Sequence, residues 1–403
     1  MQDLSLEKAI EVLKGAAEPV REPVEVDLLQ ALGLTLAEDY LAVTDNPPFD
    51  RSPLDGYALA AEATTGAAAD KPAVFKIIGE ECAGDFFART VPQGAAVRIM
   101  TGGAIPAGCN CVVRQEDVEA EADTIRVPYE LKPYANYCFA GEDVQKGTLL
   151  AKKGTKLTAA HIGVLASQGY ARVRVWRPVR VALASTGDEL VAPGEALLPG
   201  KIYNSNLYML ASRLQELGFA PEILGNLPDD ATAAAEIIKG CQDRADVILT
   251  TGGVSVGKKD VMPVVAGTVG QRLFWRLALK PGTPALAYKM GNTIGLALSG
   301  NPFAAYAVFE LLAVPLLAYL SGNNKILPHH AQAVLTDSFP RKSRRRRFIR
   351  AYHEQGKVRL PQQHSSGSLF SAVGCNAFVE IPPGTGPLKP ETEVDIVCLY
   401  RKV

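Results

Sequence analysis

Ala245-Asp246-Val247-Ile248-Leu249-Thr250-Thr251-Gly252-Gly253-Val254-Ser255-Val256-Gly257 is the stretch on which the fold turns. From Val247 to Thr251 it is a short, mostly apolar run without charge, the pattern of a strand buried on both faces, and it feeds directly into glycines. Upstream, VRVALAS at 179–185 reads as a second buried strand. Asn204–Leu217 reads as a helix with Leu207, Leu210, Ala211 and Leu214 on one stripe and Gly218 as its stop. FAPEILGNL at 219–227 gives another strand and DDATAAAEIIKGC at 229–241 another helix. Downstream, LFWRLALKPG (273–282) and TIGLALSG (293–300) supply further strands. Asn301 as cap and Pro302 at the first helical position then start a helix that runs to about residue 320. Helices alternating with wholly apolar strands predict a three-layer α/β domain with a mainly parallel sheet.

The texture differs on either side. Before residue 175, short apolar runs such as AVFKIIGE (73–80), AAVRIMTGGAIPAG (95–108) and CVVRQEDVE (111–119) are separated by Pro and Gly, which predicts β-rich structure. Thr158 is a plausible N-cap for a helix that Gly169 ends, and the N-terminus reads as an amphipathic helix carrying Leu6, Ile10 and Leu13 on one face. From 328 onward, short β-like runs, the basic block Arg341–Arg347 and the Pro-rich IPPGTGPLKPETEV (381–394) predict a small all-β domain. No segment repeats at a fixed period, which sets a solenoid aside.

Composition narrows the function. The 403 residues carry 42 Lys plus Arg against 43 Asp plus Glu, a balance that gives no reason to expect nucleic acid or an anionic membrane as partner. The most apolar run, 303–320, contains Glu310 and Pro315 and is expected to be a buried, kinked helix rather than a membrane span. The first residues lack a basic region followed by an apolar run, and the seven cysteines show no CxxC spacing; both predict a cytoplasmic protein with free thiols. With five histidines and one adjacent pair, His329-His330, a His-rich zinc site is not expected.

Open α/β sheets bind ligands beyond the carboxyl ends of their strands. Three loops fall there: Ser185-Thr186-Gly187-Asp188-Glu189, Thr250 to Gly257, and Ser299-Gly300-Asn301-Pro302. The second brings backbone N–H groups and hydroxyls close to a ligand and suits a phosphate or a polar ring edge, although a tight strand-to-helix connection has the same composition. It is neither GxxxxGK[ST] nor GxGxxG, so nucleotide binding of those kinds is not indicated. Asp188, Glu189, Asp229, Asp230 and Asp260 lie near these loops and can supply oxygen ligands to a hard ion such as Mg²⁺, or serve as caps and surface acids. No histidine lies in the loops, so Ser-His-Asp chemistry is unsupported. The block 341–347 is read first as a charged solvent face; as a site it would attract an anion.

Taken together, PPFDRSPLDGYAL (47–59), VRIMTGGAIPAG (97–108), GEDV (141–144), STGDEL (185–190), TTGGVSVGKKD (250–260), LALKPGTP (277–284), SGNPFAAY (299–306) and SGSLFSAVGCNAF (366–378) resemble the molybdopterin molybdenumtransferase family, to which the C-terminal region of gephyrin is also related. The resemblance implies a homodimer of four-part subunits. A discontinuous linker domain would span 1–25 and 140–177, a β-rich insertion 26–139, an α/β domain resembling molybdopterin adenylyltransferase 178–326, and a C-terminal β-barrel 327–403. It also implies a cleft shared between one subunit's α/β domain and its partner's N-terminal loops.

The implied reaction joins molybdate to adenylylated molybdopterin with Mg²⁺ and release of AMP. Asp55, Asp143, Asp260 and Lys280 would be catalytic, and Glu189 and Asp229 would handle the metal. Thr101, Ser185, Thr186, Gly187, Asp188, Thr251, Gly252, Gly253, Ser255, Gly257, Asn301 and Pro302 would hold substrate. Transient contact with molybdopterin adenylyltransferase and with recipient molybdoenzymes would follow. The chain departs from the family pattern at Arg51, usually Asn; at Tyr137-Cys138-Phe139-Ala140, usually basic; at Lys258, usually acidic; at Thr283, the second lysine of KPGKP; and at Ser299, usually Pro. Those changes keep open a tungstate-preferring or modified-pterin paralogue, or a pterin-binding carrier or scaffold without turnover.

Overall fold

A computed structural model describes residues 3–255, 257 and 260–399. The chain forms two compact units, residues 23–176 and residues 1–22 with 177–403. The two pieces expected to share a linker domain, 1–25 and 140–177, therefore belong largely to different units.

In the larger unit, a six-stranded sheet is built from β1 (Val181–Thr186), β2 (Glu222–Leu227), β3 (Val247–Thr251), β4 (Gln271–Trp275), β5 (Leu286–Met290) and β6 (Thr293–Leu298), in the order β2-β1-β3-β6-β5-β4. β2, β1, β3 and β6 run parallel, while β5 is antiparallel to both β6 and β4. The helices are α1 (Leu6–Ala16), α2 (Ser205–Glu216), α3 (Ala231–Lys239) and α4 (Met262–Val269), and α5 spans Pro302–Ser321. Period-two alternation sends Val181, Leu183, Val247, Leu249, Ile294 and Leu296 into one core with α1, α2 and α5. Ala182, Ala184, Ile248 and Ala297 go into a second core with α3 and α4. Both faces are thus covered, which is why these strands carry no polar face.

Several expectations shift in detail. On α1 the buried face is Leu6, Ala9 and Leu13, with Ile10 only half-buried. LFWRLALKPG is not one strand: Arg276 takes a φ of 84°, the chain leaves the sheet after β4, and Leu279–Lys280 pairs elsewhere. Along α5 a π-turn at Phe309–Ala313 interrupts the helix before Pro315, and most of the segment is buried inside the protein.

β7 (His329–Leu335), β8 (Arg346–Glu354), β9 (Lys357–Arg359), β10 (Ala377–Ile381) and β11 (Glu393–Cys398) close into a barrel in the order β8-β9-β7-β11-β10-β8. Leu335, Phe339, Ile349, Val358, Val379 and Ile396 fill its interior. The Leu279–Lys280 strand lies parallel to β8, with Leu279 opposite Arg346 and Lys280 opposite Arg347, so one ladder ties the α/β sheet to the barrel.

The unit 23–176 is β-rich, as its Pro- and Gly-punctuated runs predict. A six-stranded sheet follows the spatial order 111–114, 56–59, 95–99, 73–81, 124–127, 119–121. Two small sheets and the helix Ala159–Ser167 complete it, the helix opening on a capping box between Thr158 and His161.

Candidate functional site

The loops that follow β1, β3 and β6 converge at the carboxyl edge of the sheet. Gly252 and Gly253 hold φ of 89° and 61°, and a Cβ on Gly252 would come within 2.5 Å of the Thr186 carbonyl oxygen. The glycines therefore let the β3 loop lie against the β1 loop, and Gly300 sits against Gly252 from the third side. Beneath them, the buried Ser185 hydroxyl lies 3.1 Å from Asn204 Oδ1 and 3.0 Å from Thr251 Oγ1. Asn204 caps α2 by accepting from the Leu207 N–H and donates to Asn226 Oδ1 at 2.7 Å. Asn206 Nδ2 donates to the Gly300 carbonyl at 2.8 Å, pinning the third loop.

These loops wall a cleft of about 630 Å³. Of the sequence candidates, Thr186, Gly187, Glu189, Asp229, Thr251, Gly252, Gly253, Ser255, Asp260, Asn301 and Pro302 line it. Ser185 does not; it is buried behind the wall and positions Thr251 and Asn204. Asp188 and Gly257 do not line it either: the Asp188 N–H donates to Asp229 Oδ2 at 3.2 Å, and the Gly257 N–H donates to Asp260 Oδ2 at 2.5 Å. Both backbones orient an acid that does face the cleft. Asp230 caps α3 through the Ala233 N–H. Asn301 holds the cap position of α5 without a side-chain capping bond, which leaves its amide facing the cleft. Val256 and the departure Lys258 lie outside the described residues. Asn204 and Asn206 were not among the candidates; their importance rests on contacts across the fold that local spacing does not signal.

A second cleft, of about 780 Å³, shares Pro284, Ser299 and Asn301 with the first. Lys280 lines this one, together with Arg341, Arg347, Arg350 and His364, and no carboxylate is among its lining residues. Arg350 is fully buried; its guanidinium donates to the carbonyls of Ser368 (2.7 Å) and Ser365 (2.5 Å) and stacks 3.9 Å from the Phe303 ring centroid. Burial holds the Arg350 and Arg347 guanidiniums below their usual range, with the Arg341 charge adding to the effect on Arg347. Burial and the charges of Arg350, Arg341 and Arg347 likewise depress the His364 imidazole. So the basic block is not simply a solvated face: Arg341 and Arg347 turn into a cleft whose field favours an anion.

The remaining candidates lie in the unit 23–176. Asp55 Oδ1 accepts from the Thr101 N–H and hydroxyl, both at 2.7 Å, and these bonds hold its carboxyl below the usual range. Asp143 Oδ2 accepts from Asn46 Nδ2 at 2.8 Å, and Asp50 accepts from the Tyr137 hydroxyl at 2.5 Å and the Ala140 N–H at 2.8 Å. Backbone bonds lace 46–52 to 138–144 and to 102–105, with Arg51 bridging Cys138 and Ala104. The departures at Arg51 and at 137–140 thus meet in one loop cluster. Among the described residues, no group of three or more His, Cys, Asp or Glu is arranged to hold a metal, and Cys109 and Cys111 are pushed up to about 12 by burial.

Comparison with known proteins covers nearly the whole chain. The model for the MoeA N-terminal region (domain I and II) matches residues 4–169, a probable molybdopterin binding domain matches 182–319, and the MoeA C-terminal region (domain IV) matches 332–399. The molybdopterin molybdenumtransferase of Bacillus subtilis is 37% identical over 388 residues, covering 94% of this chain and 90% of the relative. That of Haemophilus influenzae is 35% identical over 378 residues, covering 92% of each. The crystal structure of a molybdopterin biosynthesis MoeA protein from Pyrococcus horikoshii superposes with a TM-score of 0.82 at 31% identity, over 100% of both chains. With matching regions in the same order, relatives matched over nine-tenths of their length and a shared fold, this chain belongs to the molybdopterin molybdenumtransferase family.

Proposed function

We infer that the chain is a molybdopterin molybdenumtransferase that transfers molybdenum from molybdate to adenylylated molybdopterin and releases AMP. Family membership supports the transferase activity, with molybdopterin and molybdate as substrates. The observation that carries the cleft assignment is the pair of joined clefts: a glycine loop with three acids opens onto a basic, carboxylate-free neighbour. A phosphorylated pterin suits the first, where Thr186, Thr251 and Ser255 offer hydroxyls and the glycine loop offers backbone N–H groups. An oxyanion suits the second, beside Lys280.

Glu189 and Asp229 face the same cleft, and such a pair of carboxylates fits a Mg²⁺ ion that shares its coordination with substrate phosphates. Such an ion would neutralise and polarise the phosphoanhydride. Asp260, oriented by the Gly257 N–H, is the acid proposed to position water for AMP release, and Lys280 offers fixed positive charge to molybdate. Asp55 and Asp143 are proposed to complete the site from a partner subunit of a homodimer. The α/β domain is proposed to share its fold with molybdopterin adenylyltransferase, and the protein to act in the cytoplasm with that enzyme and recipient molybdoenzymes as transient partners.

The test is AMP release from adenylylated molybdopterin by the purified chain with Mg²⁺ and either molybdate or tungstate. Molybdate-dependent release that Asp260→Asn lowers by about 100-fold or more, the scale of lost general acid–base help, is expected. A tungstate preference selects the paralogue, and tight pterin binding without release selects a carrier. Asp260→Asn turning over like the parent would remove Asp260 from the site.

A further inference from the structure

Where the family pattern has a second lysine, this chain has Thr283, and the structure shows what that threonine does. Its hydroxyl donates to the Leu279 carbonyl at 2.6 Å and accepts from Arg345 Nη1 at 3.2 Å. It is committed to its own loop and brings no charge to the cleft. The neighbouring arginines are similarly occupied. Arg345 pairs with Asp3 at 2.8 Å, and Arg346 pairs with Glu380 at 2.7 Å and with Glu7.

Arg347 differs. Among the described residues it pairs with no carboxylate, its Nε is buried without a hydrogen-bond partner, and it lines the same cleft as Lys280. The ladder between Leu279–Lys280 and β8 sets Arg347 directly opposite Lys280. Two like charges lining one cleft repel each other, and among the described residues no acid lines the cleft to offset them. The arrangement makes physical sense with an anion held between the two cations, where an arginine offers directed donors that a lysine does not.

We propose that Arg347 holds the incoming oxyanion opposite Lys280, supplying from the barrel strand the positive charge that Thr283 does not supply from the loop. The proposal rests on the assignment of molybdate to the basic cleft. It makes Arg347 a residue of oxyanion affinity rather than of the chemical step, so its loss falls on the KM for molybdate.

The test compares the full-length parent with Arg347→Ala, Thr283→Lys, the double variant Arg347→Ala/Thr283→Lys, and Lys280→Ala. The readouts are kcat and KM for molybdate in AMP release, direct molybdate binding by calorimetry, and a thermal melt for folding. Arg347→Ala is expected to raise KM and weaken binding by about tenfold or more, the scale of a hydrogen bond to a charged group. Adding Thr283→Lys should return most of that loss, since the charge re-enters the cleft from the loop after Lys280. An unchanged KM in Arg347→Ala, with KM raised in Lys280→Ala, overturns the role of Arg347 and leaves the cleft assignment standing. A loss that Thr283→Lys does not recover overturns it too, because Arg347 would then act through its stacking on Phe339. An unchanged KM in both single alanine variants overturns the cleft assignment itself.

Discussion

At Gly252 a left-handed backbone and a neighbouring carbonyl oxygen act together, because a Cβ there would strain φ and collide with Thr186. Gly252→Ala is expected to cost about 1–3 kcal/mol of stability and to displace the loop, seen as a lower denaturant midpoint and weaker pterin binding. An unchanged midpoint would mean that the loop relaxes freely and that its shape is not set by this contact. His364 gives a pH-dependent effect. Its folded-state pKa lies below the ordinary 6.5, so the unfolded chain takes up the proton first as pH falls. The stability linked to His364 is therefore present above about pH 6.5 and is lost as pH falls below it. His364→Gln should flatten that acid-side decline in urea titrations; a slope unchanged from the parent would remove His364 as its source. Glycines, Pro302 and the loop hydroxyls were legible in the sequence because each marks a backbone event on its own. Asn204 and Asn206 were not, because their partners are supplied by other elements: Asn206 reaches a carbonyl 94 residues away; Arg347 was legible only as one of a basic block that, as a site, would attract an anion.

The longest helix shows the same division at the scale of elements. Its start at Asn301-Pro302 and its burial follow from composition, yet its interruption is a π-turn at Phe309–Ala313, one turn ahead of the proline that the sequence suggested as the kink. Glu310 in that turn is fully buried and accepts from Arg213 Nε at 2.6 Å; Arg213 also donates to the Leu399 carbonyl at 3.0 Å, joining α2, α5 and the end of the barrel chain. Removing Glu310 takes a short charge-assisted bond from the buried Arg213 and leaves it the exposed Glu216, 2.8 Å away, as carboxylate partner. Glu310→Gln should therefore destabilise the fold by about 1–3 kcal/mol, the scale of a lost hydrogen bond to a charged group, and Arg213→Leu with Glu310→Leu by less than Glu310→Gln alone. Equal melting of Glu310→Gln and the parent would show that the pair does not hold these elements together. The strand Leu279–Lys280 was hidden for a related reason: its apolar run continues β4 in sequence, and only the backbone turn at Arg276 redirects it to the barrel.

For the whole molecule, the α/β alternation, the β-rich first half and a small all-β domain at the end were legible, since each follows from the period of apolar residues and the placing of turn residues, while closure of that last domain into a barrel was legible only through the family resemblance. Which compact unit takes the first helix was not, because an amphipathic helix fits any apolar face of the right width. The proposed shared site predicts complementation: Asp55→Asn and Asp260→Asn chains, each strongly impaired alone, should regain activity when refolded together, and a mixture as impaired as its parts would count against a cleft completed by the partner. The most direct measurement is molybdenum recovered on the pterin after incubating the purified chain with Mg²⁺, adenylylated molybdopterin and molybdate. Stoichiometric molybdenum on the pterin, matched by AMP release and lost in Lys280→Ala, is the expected result; pterin recovered without metal while the protein stays folded and binds the adenylylated substrate would contradict it.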